Sequence, residues 1–457
     1  MSMLEKILHA ADENTPAALE RLFALLRIES ISTDSAYASE CVKAADWLVA
    51  DLQSFGFEAS RRDTSGHPMV VAHTHGAGPH MLFYGHYDVQ PVDPLNLWDR
   101  PPFDPVIEDT PKGRVIRARG ASDDKGQLMT FVEACRVWKS VTGELPGNIT
   151  ILFEGEEESA SPSLIPFLND NADELRADFA LVCDTGLWDA DTPTISTMLR
   201  GMVAEDFTIT AANKDLHSGD YGGPAMNPIR VLTRILGAMH DDQGRVTLPG
   251  FYEGVPDIPA DIKAEWEALN FDVETFLGEV DLTTPAGEQG YTPLEQIWAR
   301  PTCDINGIWG GYTGEGFKTV LPSQASAKVS FRLVGDQDPV VISTAFQKYV
   351  TDNLPPDCRV DFHVSDGAKA TNLAVDAPEF TQARQALNDE WPNAAIFAGC
   401  GGSIPIVGHF QGILGMDSIL IGFGLDDDQI HSPNEKYALR SFEKGIRSWI
   451  RVLDALT

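Results

Sequence analysis

The run Asn148-Ile149-Thr150-Ile151-Leu152-Phe153 leads without interruption into Glu154-Gly155-Glu156-Glu157-Glu158-Ser159. A short apolar segment rich in β-branched and aromatic residues reads as a buried strand. Its carboxyl end carries four carboxylates, and open α/β sheets hold their ligands outside the carboxyl ends of their strands. A charge run alone is commonly a solvated face. The rest of the chain decides between the two readings.

Several other apolar runs end in an acid or a histidine. Residues 69–72 and 81–84 read as strands, the second ending in Gly85-His86-Tyr87-Asp88. Residues 115–118 lead into Arg119-Gly120-Ala121-Ser122-Asp123-Asp124-Lys125-Gly126, and helical spacing follows over 127–139. Residues 179–183 end at Asp184, and 418–423 run into Asp426-Asp427-Asp428-Gln429-Ile430-His431. Helical spacing recurs at 19–28, 42–55, 378–387 and 437–456. Strands alternating with helices predict an α/β fold with a mostly parallel central sheet flanked by helices.

The pattern changes in the middle of the chain. Residues 203–210 and 325–333 alternate apolar with polar positions, as strands with one wet face do. Helical spacing covers 228–239 and 340–350, a strand is expected at 360–364, and a polar, proline-rich insertion fills 248–300. A chain of 457 residues exceeds the ~250–300 at which one core stops growing. The boundaries expected are a first domain over 1–200 resuming at 371–457, interrupted by an α+β domain over 201–370.

Lys+Arg total 34 against Asp+Glu 68, a net charge of −34. Such a balance argues against nucleic acid or an anionic membrane as partner. The six cysteines, Cys41, Cys135, Cys183, Cys303, Cys358 and Cys400, are scattered, without metal or disulfide spacing. They suit reduced thiols in the cytoplasm. The first eleven residues lack the basic start and apolar run of a signal peptide, and no segment approaches the ~18 apolar residues of a membrane span.

His86, Asp88, Asp123, Glu157, Glu158, Asp184 and His431 offer oxygen and imidazole nitrogen with no thiolate. That donor set suits catalytic Zn²⁺, Mn²⁺ or Co²⁺ better than a structural zinc. Asp88 stands two residues beyond His86, on the same side of an extended backbone, where it can orient the imidazole. His67, His73, His75 and His80 have no acidic motif beside them and are expected on the surface or in loops.

These motifs, with Asp215-Leu216-His217-Ser218-Gly219 and Gly401-Gly402-Ser403-Ile404-Pro405, resemble those of a known family. It is the dinuclear zinc peptidase and deacylase family that includes carnosinase, cytosolic nonspecific dipeptidase, acetylornithine deacetylase and succinyl-diaminopimelate desuccinylase. The resemblance runs from about residue 20 to the carboxyl terminus and is nearest to the carnosinase-like dipeptidases. It implies that Asp123 bridges two divalent ions, Zn²⁺ first and Mn²⁺ or Co²⁺ next. His86 and Asp184 would complete one ion's ligands, Glu158 and His431 the other's. It implies a cis peptide after Asp123, Glu157 as general base, and an inserted domain serving as lid and dimerisation surface. His217 would reach the oxyanion of the partner subunit in a homodimer, Arg332 would bind a substrate carboxylate, and Thr319, Gly402 and Ser403 would contribute further contacts.

The activity implied is hydrolysis of the amide bond of a dipeptide or small N-acyl amino acid by a metal-activated water. A deacylase like acetylornithine deacetylase is the alternative within the family, and a metal-binding scaffold is the alternative outside catalysis. Asp184 is an aspartate, which in the family accompanies aminopeptidase and dipeptidase activity. Cys400 departs from the pattern, standing where carnosinase-like dipeptidases carry a glutamate, and a neutral thiol cannot hold a substrate ammonium as a carboxylate does.

Overall fold

The computed structural model describes residues 1–457 apart from Pro146, Glu279, Asp366, Ala374 and Ser403. The chain divides into two compact units. One comprises residues 1–197, 373–398 and 409–457; the other comprises 198–372 and 399–408.

The first unit is built on a twisted sheet whose strands follow the order Glu58–Arg62, Met69–Thr74, Asn148–Glu154, His80–His86, Phe179–Val182, Ser418–Leu420 and Thr194–Leu199. The four strands from Asn148–Glu154 to Ser418–Leu420 pair in parallel, and antiparallel strands flank them on both sides. The parallel strands are almost wholly buried, which explains their unbroken apolar runs. Phe83 on the central strand stacks on Phe131 at 3.7 Å between ring centroids and meets Trp449 edge-on at 5.6 Å. Those contacts seat the helices Lys125–Thr142 and Leu439–Leu456 against the sheet.

Two expectations are corrected here. The first helix spans Met3–Leu26 instead of beginning near residue 19. A capping box between Ser2 and Glu5 starts it, Ile7, Leu8 and Ala11 are buried, and it continues through Pro16. Proline removes one backbone donor, which packing along the rest of the helix outweighs. His73 and His80 lie on strands, not in loops: the two rings of His73 and His80 approach the Thr150 hydroxyl at 3.0 and 2.8 Å, and His73 Nε2 lies 2.9 Å from Glu174.

The second unit contains an antiparallel sheet in the order Thr302–Gly310, Gln324–Leu333, Gly201–Thr210 and Arg359–Val364. Along Gly201–Thr210 buried and partly exposed residues alternate. Its buried side packs Phe207, Phe331 and Phe346 between the sheet and the helices Pro228–Gly237 and Pro339–Asp352. A two-stranded ribbon, Leu216–His217 with Val320–Leu321, stands apart from that sheet. No described helix is long and apolar enough to cross a membrane.

Candidate metal centre

Three adjacent parallel strands bring their carboxyl ends to one edge of the first unit. His86 closes its strand, Asp184 follows Phe179–Val182 by two residues, and Glu157 and Glu158 occupy a single 3₁₀ turn after Asn148–Glu154. Asp123 precedes the helix Lys125–Thr142 across a cis Asp123-Asp124 peptide. His431 sits in the loop beyond Ser418–Leu420 with φ of 61°, a left-handed conformation that is uncommon for a residue with a side chain. Two glycines permit this crowding. A Cβ on Gly126 would stand 1.8 Å from the Ala121 carbonyl, and one on Gly155 would stand 2.2 Å from the Tyr87 hydroxyl.

Asp123 lies at the centre, its two oxygens turned in different directions. Oδ1 is 2.9 Å from His86 Nε2, which is itself 4.0 Å from Asp184; Oδ2 is 3.0 Å from His431 Nε2, which is 3.2 Å from Glu158. Each triad, His86–Asp123–Asp184 and Asp123–Glu158–His431, gathers its ligand atoms within 4.8 Å. His86 Nε2 is fully buried and forms no hydrogen bond despite its closeness to Asp123. His431 Nε2, by contrast, is hydrogen-bonded to Asp123 Oδ2. An all-oxygen-and-imidazole donor set in two triads sharing a carboxylate fits two divalent ions.

The electrostatics point the same way. Burial, with Asp123 adding to it, holds Asp184 well above the usual carboxylate range, and burial with Glu158, Asp123 and Asp88 raises Glu157. Hydrogen bonds to Asp123 and Glu158 push His431 up to about 10. Buried negative charge in such excess is costly until positive charge accompanies it.

Supporting residues fix the ligands. Asp88 is fully buried, and its two oxygens accept the backbone N–H groups of Glu157 at 3.3 Å and Glu158 at 3.1 Å. Its Oδ1 is 3.4 Å from His86 Nδ1, while its carbonyl is 3.2 Å from the same nitrogen. Asp88 therefore positions both the histidine and the glutamate turn. Gln90 donates to Glu158 Oε2 at 2.8 Å. Glu154 and Glu156 are buried and structural: Tyr84 donates to the first, and the N–H groups of His67 and Ser163 donate to the second.

Glu435 emerges only in three dimensions. This buried carboxylate accepts from Arg119, from the N–H groups of Gly120 and Ser122, and from the N–H of Asp123 at 3.1 Å. It holds the loop that presents Asp123. Its partners lie more than 300 positions away in sequence, so no local spacing points to it.

The remaining sequence-derived residues belong to the second unit. His217 is 65% exposed, and its Nδ1 accepts the Gly219 N–H at 3.0 Å. The neutral ring therefore carries its proton on Nε2. Thr319 is exposed and its carbonyl accepts the Ser218 N–H, the Gly402 carbonyl accepts the Arg200 N–H, and Arg332 lies on the strand Gln324–Leu333. Ser403 lies outside the described residues.

Residues 82–455 match the model of peptidase family M20/M25/M40. The Cys-Gly metallodipeptidase DUG1 of Saccharomyces cerevisiae is 30% identical over 97% of this chain and 96% of its own length. Its solved structure, described as a novel di-peptidase, superposes with a TM-score of 0.80 at 27% identity, covering 100% of this chain and 99% of that one. The human Beta-Ala-His dipeptidase is 26% identical over 98% of this chain and 91% of its own. A metallo-carboxypeptidase of the M20 family from Sulfolobus solfataricus, Sso-CP2, gives a TM-score of 0.82 at 28% identity over 96% of this chain and 99% of that one. The chain belongs to peptidase family M20/M25/M40.

Proposed function

We propose that this chain is a metal-dependent dipeptidase that hydrolyses the amide bond of dipeptides at the Asp123 centre. The observation that carries the reading is the divided Asp123 carboxylate, with one imidazole and one further carboxylate gathered at each oxygen. Relatives named as dipeptidases, aligned over nearly the whole chain, support the choice of substrate.

His86, Asp123 and Asp184 would hold one ion, and Asp123, Glu158 and His431 the other, with Zn²⁺ the leading candidate and Mn²⁺ or Co²⁺ next. When bound, the pair supplies the charge that acidifies a water and polarises the scissile carbonyl. Glu157 belongs to neither triad and accepts the water's proton, then delivers it to the leaving amine. Its raised pKa suits a group that must take and return a proton. Arg332 receives the substrate's terminal carboxylate through a two-pronged guanidinium contact.

The second unit serves as lid and dimerisation domain over about residues 201–370. Support comes from the edge strand Thr302–Gly310 and the loop beyond it, where Ile308, Trp309, Tyr312 and Phe317 are from 48 to 104% exposed. Exposed apolar residues along an unpaired edge mark an association surface. His217 of the partner subunit, with its proton on Nε2, would donate to the developing oxyanion. The six cysteines, none in a disulfide among the described residues, suit a cytoplasmic protein.

Cys400 favours a second reading, removal of an acyl group from an N-acyl amino acid, because it offers no carboxylate to a substrate ammonium. One panel tests both. Purified protein is stripped with a chelator, reloaded with Zn²⁺, Mn²⁺ or Co²⁺, and given Cys-Gly, Ala-Ala and N-acetyl amino acids. Dipeptide hydrolysis that is lost on chelation and restored by metal is the expected result. Restored activity on acyl amino acids alone establishes the deacylase, and no metal-restored turnover of either class overturns the assignment.

A further inference from the structure

The polar insertion, which the proposed reaction does not use, borders a cavity of about 390 Å³ within the second unit. Gln243, Arg245, Tyr252, Glu288, Tyr291 and Arg300 line it. Backbone contacts fix its walls. Asp241 Oδ1 accepts the N–H groups of Gln243 and Arg245, each at 2.9 Å. The Gln289 N–H donates to the Gln243 carbonyl at 2.9 Å, and Gln296 Nε2 donates to the Glu288 and Tyr291 carbonyls at 2.9 and 3.1 Å. The turn 241–245 and the segment 288–291 are thus held side by side.

The two arginines share one carboxylate and one aromatic ring. Arg300 Nε donates to Glu288 Oε2 at 2.9 Å and its Nη2 lies 2.8 Å from the same oxygen, while Arg245 Nε stays 3.7 Å from Glu288 Oε1, beyond hydrogen-bond reach. The guanidinium carbons of Arg245 and Arg300 lie 4.8 and 5.2 Å from the centre of the Tyr252 ring, and that of Arg300 lies 4.2 Å from the centre of Tyr291. Stacking uses the flat faces of a guanidinium and leaves its N–H edges free to donate. Arg300 is only 8% exposed, yet its Nη1 has no hydrogen-bond partner among the described residues, nor has any side-chain nitrogen of Arg245. Tyr252 Oη accepts the Val246 N–H at 3.0 Å, which leaves its own proton, like that of the Tyr291 hydroxyl, without an acceptor among those residues.

Two guanidiniums against one carboxylate leave a positive charge on the cavity wall, in a chain whose net charge is −34. Donors from two arginines and two phenols face it from separate elements. A partly enclosed charge with spare donors is unfavourable until an anion joins it. A carboxylate offers two oxygens in one plane, whereas phosphate offers at least three around a tetrahedron and so answers donors that arrive from several directions.

We propose that Arg245, Arg300, Tyr252 and Tyr291 form a binding site for a phosphate group, carried as the free ion or on a small monoester. Once bound, it ties the turn 241–245 to the segment 288–291. The site goes beyond the dipeptidase reading and does not depend on it.

The test uses chelator-stripped protein, so that phosphate has no metal to ligate. Calorimetry with inorganic phosphate, at an ionic strength fixed with potassium chloride, should show saturable binding of one ion per subunit. Arg245→Gln changes a half-exposed side chain and should weaken binding at least about tenfold, the scale of one charge-assisted contact. Arg245→Lys, which keeps the charge, should retain much of the affinity, and Tyr291→Phe should weaken it less than Arg245→Gln does. Phosphate should raise the thermal midpoint of the parent and leave that of Arg245→Gln unmoved. Glycerol 3-phosphate separates the two sources: tighter binding than inorganic phosphate supports a monoester site, and weaker binding supports a site for the free ion. Absence of saturable binding, acetate binding as tightly as phosphate, or parental affinity in folded Arg245→Gln overturns the proposal. Should Arg245→Gln fail to fold, parental affinity in Tyr291→Phe overturns it.

Discussion

Glu154 and Glu157 are three residues apart on the same strand exit, yet their surroundings give them different work. Glu154 is buried beneath Tyr84, whose hydroxyl donates to it at 2.6 Å, and burial pushes its pKa up to about 7. An acid whose folded pKa lies above its unfolded value of 4.5 binds a proton more tightly when folded. Stability attributable to this group is therefore greatest below pH 4.5 and falls as the pH rises to about 7. Glu154→Gln should remove that slope, worth on the order of 3 kcal/mol. Urea unfolding of metal-free protein across this interval checks it: the variant should lose less stability than the parent, and parallel curves would contradict the assignment. At this scale the sequence was informative where a polar residue follows an apolar run, as at His86, Glu158 and Asp184. It was silent on Glu435, whose role arises from backbone groups brought together by the fold.

The strands and helices explain why the ligands hold their places. The parallel strands ending at His86, Glu154 and Val182 are neighbours in register, with His86 opposite Glu154 and Tyr84 opposite both Leu152 and Val182. Their footing is the aromatic cluster of Phe83, Phe131 and Trp449. Phe83→Ala should cost about 3–5 kcal/mol by loss of buried surface and the cavity left behind. Chemical denaturation measures this, and a cost below ~1 kcal/mol would mean that the site edge does not depend on the cluster. Element type was legible from period: apolar runs became buried strands, and alternation became the half-wet strand Gly201–Thr210. The amino-terminal half of Met3–Leu26 was not legible, because Pro16 and a sparse apolar stripe conceal a helix that tertiary packing sustains.

For the whole molecule, the proposed reaction draws His217 from a second copy. Mixing His217→Ala subunits with Glu157→Gln subunits should restore one native site in each heterodimer and recover up to half the activity per heterodimer, although each variant alone is nearly inactive. Tagged co-purification followed by rate measurement checks this, and inactive verified heterodimers would remove His217 from the partner's site. The change from unbroken apolar strands to alternating ones was legible from period. The pairing of distant guanidiniums and carboxylates was not, since charge composition records their number and not their neighbours.

Two neighbouring carboxylates divide the proposed work at one strand end, Glu158 holding metal and Glu157 moving the proton. The most direct measurement of that division is Glu157→Gln, assayed together for metal content by mass spectrometry and for dipeptide turnover. Two ions per subunit are expected, as in the parent, with kcat lower by roughly 10²–10⁴-fold. A variant that loses its metal, or one that keeps both ions and parental turnover, would contradict it.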